Sequence, residues 1–281
     1  MNHKGINHNE TQKSNTYILL ATYNATSFLK QQIQSIYKQS INKKVTIIIR
    51  DDASTDATPQ MLSNLTQEYS HIHIISDDQR QLGAAKNFSK LLNTAFTYKA
   101  NHCFLADQDD VWLPEKVQSQ QKQMHKLEQN HANKPLLIHS DMMVVDSSLK
   151  EISPSFMKYQ KIAHNAKRPI NVLLVQNFVT GCTMMLNRKL LEVALPIPKE
   201  ALMHDWWLAL CAATFGKIDY IDKPLVKYRQ HGNNEVGAQH IKNLINPFKN
   251  NWYRHWNKGR KNLHQSISQA QALVQRIKQH D

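Results

Sequence analysis

Residues 102–110 read His-Cys-Phe-Leu-Ala-Asp-Gln-Asp-Asp, an apolar run followed at once by three clustered carboxylates. The apolar part suits a buried strand of a parallel sheet, because such strands are covered on both faces and read as short apolar runs. Carboxylates at the carboxyl end of such a strand lie at the edge where open α/β sheets bind ligands. The segment therefore predicts an α/β fold with an acidic ligand site at that edge.

The carboxylates Asp107, Asp109 and Asp110 lie within four residues and repel one another unless a positive charge lies between them. A hard divalent cation is the usual counter-charge, because it prefers oxygen ligands and keeps places open for substrate phosphates. A solvated acidic turn is the alternative. We expect Asp107 and Asp109 to hold the cation and Asp110 to cap the following turn.

Strands and helices alternate through the first half of the chain, which predicts a doubly wound, mostly parallel sheet with right-handed crossovers. The predicted strands are residues 17–21, 45–50, 72–76 and 102–106. The predicted helices begin at a cap on Thr26 or Ser27, at Thr58-Pro59, at Gly83 and at Pro114.

The second half of the chain is more mixed. Strands are predicted at 136–140, 142–145, 182–186, 217–221 and 225–229, and helices at 171–175 and 204–215. The predicted organisation is a disordered lead-in (1–15), a single Rossmann-like α/β domain (16–238) and a basic helical C-terminal tail (239–281).

The net charge of +13 is concentrated in that tail, where no Asp or Glu occurs between Lys242 and Lys278. Tryptophan and tyrosine are interleaved with the basic residues. This pattern fits an anionic membrane surface, a nucleic-acid patch or a solvated basic helix, and the sequence leaves the three open.

A cytoplasmic location is predicted from three features. No stretch approaches eighteen uninterrupted apolar residues, and the polar first fifteen residues lack the apolar core of a signal peptide. Cys103, Cys182 and Cys211 are odd in number and lie in apolar surroundings, which indicates reduced, buried thiols.

Glycine-rich phosphate loops are missing. The sequence has only seven glycines and neither a GxxxxGK[ST] loop nor a GxGxxG turn after the first strand. This argues against phosphate-loop NTPases and nicotinamide-binding Rossmann enzymes. A protein that handles a diphosphate without such a cradle needs a metal to neutralise it.

Seven motifs follow one another along the chain: ATYN (21–24), RDDASTDAT (50–58), LGAAKN (82–87), LADQDDVW (105–112), VTGCTMML (179–186), HDWW (204–207) and YRQHGNN (228–234). In this order they resemble the family 2 glycosyltransferases, inverting enzymes of the GT-A fold, and most of all the bacterial rhamnosyltransferase-like group that builds surface polysaccharides. The resemblance covers roughly residues 16–237.

This resemblance implies a role for each matching residue. The nucleotide-sugar would be bound by Thr22, Tyr23, Asn24, Asp52, Gly83, Asn87, Asp107 and Gly181. Mg²⁺ or Mn²⁺ would be held by Asp107, Asp109 and His231. Asp205 would be the catalytic base, with Trp206 and Trp207 beside the acceptor.

Two of these roles compete with structural ones. Asp205 also suits the first turn of a helix, where the macrodipole favours a carboxylate, and His231 also suits a hydrogen-bonded structural role. Many relatives have an acidic residue where this chain has His204, so the tuning of the base is open.

The resemblance implies transfer of one sugar, with inversion, from a UDP or dTDP donor to a saccharide acceptor, expected to be lipid-linked at the inner face of the cytoplasmic membrane. No Arg-Trp dipeptide occurs, so the QxxRW signature of processive synthases is absent. Nucleic acid is not expected as a partner. The alternatives are a nucleotidyltransferase and a nucleic-acid-binding protein that uses the tail.

Overall fold

The computed structural model describes residues 15–39, 45–162, 167–231 and the helix 252–280, with side chains of that helix from His264 onward. The predicted lead-in, apart from Asn15, lies outside the described residues. So do the predicted boundary at 238 and most side chains of the basic tail.

Nine strands and nine α-helices are found in the described residues. The strands are β1 (Thr16–Thr22), β2 (Thr46–Asp51), β3 (Ile72–Ile75), β4 (His102–Ala106), β5 (Val111–Trp112), β6 (Leu136–Val145), β7 (Glu151–Ser153), β8 (Met185–Asn187) and β9 (Lys217–Arg229). The helices are α1 (Leu29–Tyr37), α2 (Thr58–Glu68), α3 (Ala84–Thr97), α4 (Lys116–Asn130), α5 (Phe156–Tyr159), α6 (Pro169–Leu173), α7 (Arg188–Ala194), α8 (His204–Phe215) and α9 (Trp252–His280).

One sheet holds all nine strands, in the order β3-β2-β1-β4-β8-β6-β9-β5, with β7 paired to β6. The first four strands are parallel. Strand β8 then runs antiparallel between β4 and β6, whereas β6 and β9 are parallel to each other. The prediction of a mostly parallel sheet with a mixed second half is confirmed.

Both faces of the sheet are covered by helices, because side chains of each central strand alternate between two cores. In β1, Leu19 joins one core, whereas Ile18 and Leu20 join the other. The Leu19 core contains residues of α3, α6, α7, α8 and α9, and the opposite core contains residues of α1, α2 and α4. The sheet is therefore doubly wound, as predicted.

Two pairs of predicted strands are each a single strand. Residues 136–140 and 142–145 form β6, and 217–221 and 225–229 form β9. The two strands pair in parallel with register shifts around Asp141 and opposite Pro224. The sequence pattern predicts a strand end at each of these irregular points, but the pairing between β6 and β9 continues past them.

The predicted strand at 182–186 is wrong in its first half. Gly181–Thr183 is a 3₁₀ turn, and β8 follows it. An apolar run does not by itself distinguish an extended segment from a buried turn. The predicted cap of α1 is also wrong, because Phe28 precedes the helix and the Thr26 hydroxyl donates instead to Asp56.

The C-terminal helix packs on the domain over its second half. Leu273 is buried in the core beneath α8, and Gln269 accepts a hydrogen bond from the Leu202 amide. The Arg276 guanidinium donates to the carbonyls of Val193, Leu195 and Pro196. No helix within the described ranges combines the length and the apolar character that crossing a membrane requires.

Gly216 is held where α8 meets β9, so its replacement tests the packing of this junction. A Cβ at this position would lie 1.7 Å from the Pro135 carbonyl oxygen, which accepts the Lys217 amide. We expect Gly216→Ala to lower the free energy of unfolding by more than ~2 kcal/mol in urea titrations, because backbone must move. The exposed neighbour offers a control, and Lys217→Ala should change stability by less than about 0.5 kcal/mol. Equal midpoints for Gly216→Ala and the parent protein would contradict this account.

Candidate active site

A cavity of about 870 Å³ lies at the carboxyl ends of β1, β2 and β4, the edge at which open α/β sheets bind ligands. Most of the site residues predicted from the sequence line it. Those in its wall are Thr22, Tyr23, Asp52, Gly83, Asn87, Asp107, Asp109, Gly181, Asp205 and Trp206.

Three predicted residues are not part of this wall. The Asn24 side chain accepts a hydrogen bond from the Thr55 amide, which belongs to the loop between β2 and α2. His231 contacts the wall residue Asp109. Trp207 is fully buried and its indole N–H donates to the Ala194 carbonyl. The predicted contact of Trp207 with an acceptor does not agree with that burial.

The carboxylate loop, residues 107–110 after β4, is held in place by residues at the end of β9. His231 Nε2 lies 2.8 Å from Asp109 Oδ2. The Arg229 guanidinium donates to the Asp109 carbonyl oxygen and stacks 4.4 Å from the centre of the Phe28 ring. The predicted ligands Asp107, Asp109 and His231 do not form a group whose ligand atoms all lie within 4.8 Å of one another, although His231 contacts Asp109.

Asp110 does not cap the following turn, which corrects the prediction. Its side chain is fully buried and accepts a hydrogen bond from the Arg229 amide, 119 residues away. Its other oxygen, Oδ2, is buried, and the Cys182 thiol lies beside the Asp110 carboxylate and can donate to it. Burial, with the charges of Asp109 and Asp107 adding to it, raises the pKa of Asp110 well above its ordinary value.

The chemistry of these groups fits a hard divalent cation. Ligand atoms of Asp107, Asp110 and Cys182 all lie within 4.8 Å of one another. Burial raises the pKa of the Cys182 thiol, so it stays protonated and is a poor ligand. The remaining donors are carboxylate oxygens, which Mg²⁺ and Mn²⁺ prefer. A bound cation would offset the burial and the neighbouring charges of Asp109 and Asp107 that raise the pKa of Asp110.

A buried arginine organises the part of the cavity wall that follows β2. Arg50 Nη1 donates to Asp52 Oδ1 at 2.9 Å, and its Nη2 pairs with Asp77 at 2.8 Å. The Gly83 amide donates to the second oxygen of Asp52. Gly83 has φ of 76°, a left-handed conformation that favours glycine. Asp52 is thereby held in one orientation at the cavity wall.

Gln108 joins the two loops that border the cavity. Its Oε1 accepts the Tyr23 amide at 2.7 Å, and its Nε2 donates to the Tyr23 carbonyl at 3.0 Å. The loop after β1 and the carboxylate loop after β4 are thus fixed relative to each other. Sequence reasoning missed this residue, because its partner is 85 positions away.

Asp205 lies in the cavity wall at the start of α8 and is 9% exposed. Its carboxylate accepts hydrogen bonds from the amides of Gly181 and Trp206 and from the Asn177 side chain. Burial raises the pKa of Asp205 to about 6, against the lowering effect of the amides of Trp206 and Gly181. A carboxylate with such a pKa can take a proton near neutral pH.

His204, next to this carboxylate, also lines the cavity and was noted in the sequence only as a departure from relatives. Its ring stacks on Phe88 at 4.1 Å between centroids. Burial lowers the pKa of His204 to about 3, so the imidazole is neutral. Asn177 and Phe88 were missed altogether, since neither belongs to a recognisable motif.

The chain belongs to glycosyl transferase family 2, whose model matches residues 17–194. The dTDP-rhamnosyl transferase RfbG of Shigella flexneri is 29% identical over 248 residues, which cover 84% of this chain and 81% of that protein. The UDP-Glc:alpha-D-GlcNAc-diphosphoundecaprenol beta-1,3-glucosyltransferase WfgD of Escherichia coli is 27% identical over 178 residues, 62% of this chain and 61% of that protein.

Solved structures share the fold, which is that of the GT-A glycosyltransferases. TarS of S. aureus in complex with UDP-GlcNAc has a TM-score of 0.56 at 15% identity, covering 81% of this chain and 60% of that one. The mannosyltransferase PcManGT of Pyrobaculum calidifontis, in complex with GDP-Man and Mn²⁺, has a TM-score of 0.53 at 17% identity, covering 94% and 76%. The fold prediction is confirmed.

The pairing of Gln108 with Tyr23 can be tested by hydrogen exchange. Gln108→Ala removes both hydrogen bonds, so the Tyr23 amide should exchange with deuterated solvent about tenfold faster, as read by NMR. Gln67→Ala, at an exposed position of α2, is the matched control and should leave that amide unchanged. Unaltered exchange in Gln108→Ala would show that the loops are held by other contacts.

Proposed function

We propose that the chain transfers one sugar, with inversion, from a nucleoside-diphosphate donor to a saccharide acceptor. The observation that carries this proposal is Asp205, a desolvated carboxylate with a pKa of about 6 in the wall of the cavity that also holds Asp107 and Asp109. Inversion needs one base and one in-line displacement, and the cavity supplies a single carboxylate of this kind at its α8 side. The missing QxxRW signature favours a single addition over processive synthesis.

The donor site is the part of the cavity bordered by β1, β2, β4 and the start of α3. There Thr22, Tyr23 and Asp52 face the nucleotide, with Gly83 and Asn87 beside the donor. The fixed Asp52 carboxylate is suited to accept the imide N–H of a uracil or thymine base. The relative RfbG is named as a dTDP-rhamnosyl transferase and TarS binds UDP-GlcNAc. We therefore propose a UDP or dTDP donor, with rhamnose as the first sugar to test.

The cation site is assigned to Asp107 and Asp109, with His231 as a further ligand. Mg²⁺ or Mn²⁺ held by these residues would supply positive charge to neutralise the diphosphate of the leaving nucleotide. The residues of the chain hold the rest of this end in place, since Gln108 fixes the carboxylate loop to Tyr23 and Arg229 fixes its backbone. Asp110, next to the pair, contributes a buried oxygen.

The reaction is assigned to Asp205. Its carboxylate takes the proton of the acceptor hydroxyl while that oxygen bonds to the anomeric carbon of the donor sugar. The bond from the anomeric carbon to the diphosphate oxygen breaks on the opposite face, and the configuration inverts. The hydrogen bonds from Gly181 and Asn177 orient the carboxylate for this proton transfer.

The acceptor is assigned to the part of the cavity wall formed by Trp206, whose indole N–H donates to the Leu173 carbonyl. The name of WfgD describes a lipid-diphosphate acceptor. By analogy we propose a lipid-linked saccharide at the inner face of the cytoplasmic membrane, in the synthesis of a bacterial surface polysaccharide. The basic tail remains a candidate for contact with anionic lipid.

Asp205→Asn tests the base. We expect nucleoside-diphosphate release from the preferred donor to fall by about 10²–10⁴-fold, because the amide cannot take the proton. Binding of the nucleotide, measured by calorimetry, should stay close to that of the parent protein. Asp222→Asn, at an exposed position of β9, is the matched control and should retain activity.

The pH dependence of kcat/KM gives a second reading of the same residue. Because the base acts in its ionised form, kcat/KM should rise through about pH 6 and level off above it, following the pKa of Asp205. A profile that is flat from about pH 5 to 8, or full activity in Asp205→Asn, would remove Asp205 from this role.

Asp109→Ala tests the cation site. Calorimetry with UDP and dTDP, with and without Mn²⁺, should show the Mn²⁺-dependent part of the affinity falling by more than about tenfold, because a ligand of the cation is lost. The affinity without Mn²⁺ should change little. Asp78→Ala, at an exposed position after β3, is the matched control. Unchanged Mn²⁺ dependence in Asp109→Ala would contradict the assignment.

A further inference from the structure

His204 is a buried side chain with unused hydrogen-bonding groups in the cavity wall. It is 4% exposed and lines the cavity. Neither ring nitrogen has a hydrogen-bond partner among the described residues. Buried polar atoms nearly always have partners in native proteins, and an exception at a cavity wall points to a group that arrives with the ligand.

The position of the ring is fixed from two sides. Phe88, which belongs to α3, stacks against it with an angle of 21° between the ring planes. On the other side, a Cβ on residue 181 would lie 3.0 Å from His204 Nε2, so Gly181 allows the ring to approach the backbone. The same Gly181 donates its amide to Asp205. His204 therefore lies between α3 and the proposed base.

This position is on the donor side of the base. Helix α3 begins at Ala84, directly after Gly83, whose amide holds Asp52. Trp206, which is assigned to the acceptor, instead contacts α6, where its indole N–H donates to the Leu173 carbonyl.

The state of the ring suits a sugar hydroxyl. Burial lowers the pKa of His204 to about 3, so the ring is neutral and has one N–H donor and one acceptor nitrogen. A hydroxyl group is likewise both donor and acceptor. A neutral ring also leaves the charge of the neighbouring Asp205 carboxylate uncompensated, which keeps that carboxylate basic.

We propose that His204 is a specificity-determining residue that hydrogen-bonds a hydroxyl of the donor sugar. This rests on the proposed function and adds to it the group that selects the sugar, as distinct from the nucleotide. A histidine with a purely structural role would be buried in the same way. Only a sugar-binding histidine would affect the affinity for the nucleotide sugar more than the affinity for the free nucleotide.

The test compares nucleotide sugars with the matching free nucleotides. His204→Phe keeps the ring stacked on Phe88 and removes both nitrogens. Affinities are measured by calorimetry for dTDP-rhamnose, dTDP, UDP-GlcNAc and UDP in the presence of Mn²⁺. His204→Phe should lower the affinity for the nucleotide sugar that the parent protein binds by about tenfold. The matching free nucleotide should bind as it does to the parent protein. His204→Asn, which retains a donor and an acceptor, should recover part of the loss.

His139→Phe is the matched control, because His139 is buried on β6 and lies outside the cavity wall. It should leave the ratio between sugar-bearing and free nucleotide unchanged. Equal weakening of both ligands by His204→Phe, or no weakening of either, overturns the inference while leaving the proposed function intact. Failure of the parent protein to bind any of the four overturns the proposed function, and the inference with it.

Discussion

Mutual repulsion among Asp107, Asp109 and Asp110 is the constraint around which the rest of the site is arranged. Three carboxylates at the end of one buried strand cannot all stay ionised in a low-dielectric setting without compensation. The chain meets this with groups from distant segments. His231 and Arg229 approach from the end of β9, and burial lowers the pKa of Lys116 to about 7 while the charge of Asp110 opposes that shift. The last strand of the sheet is therefore as necessary to the site as β4 is.

Two parts of the cavity wall place carboxylates in different surroundings. Asp107 and Asp109 lie close together and repel each other, whereas Asp205 is desolvated and bonded to amide groups. The burial of Asp205 has a cost in stability. Its pKa is raised from 3.8 to about 6, so the folded state favours the protonated form. The contribution of this group is fully favourable below about pH 4, is lost as pH rises through 6, and amounts to roughly 3 kcal/mol.

The parts of the fold that follow local pattern were readable in the sequence. The strand at 102–106 and the helix at 204–215 were predicted with the bounds that the structure has, because each is bounded by clear polar or turn signals. Burial was harder to predict. Trp206 and Trp207 look equivalent in the sequence, yet α8 is apolar on nearly all sides and only its packing decides which ring meets the cavity. Asp110 could not be placed, since its partner Arg229 comes from a strand formed more than a hundred residues later.

The way α9 closes the molecule has a consequence for synthesis. Polypeptides emerge from the ribosome in order, and the nine strands found in the described residues are complete by Arg229. The face of α8 that carries Trp207 is then still missing Leu273, which packs into that core, and Arg276, which lies 5.7 Å from the Trp207 ring. A nascent chain whose sheet forms before translation ends would keep this apolar face open until residues 266–277 have been added, and would be open to aggregation during that interval.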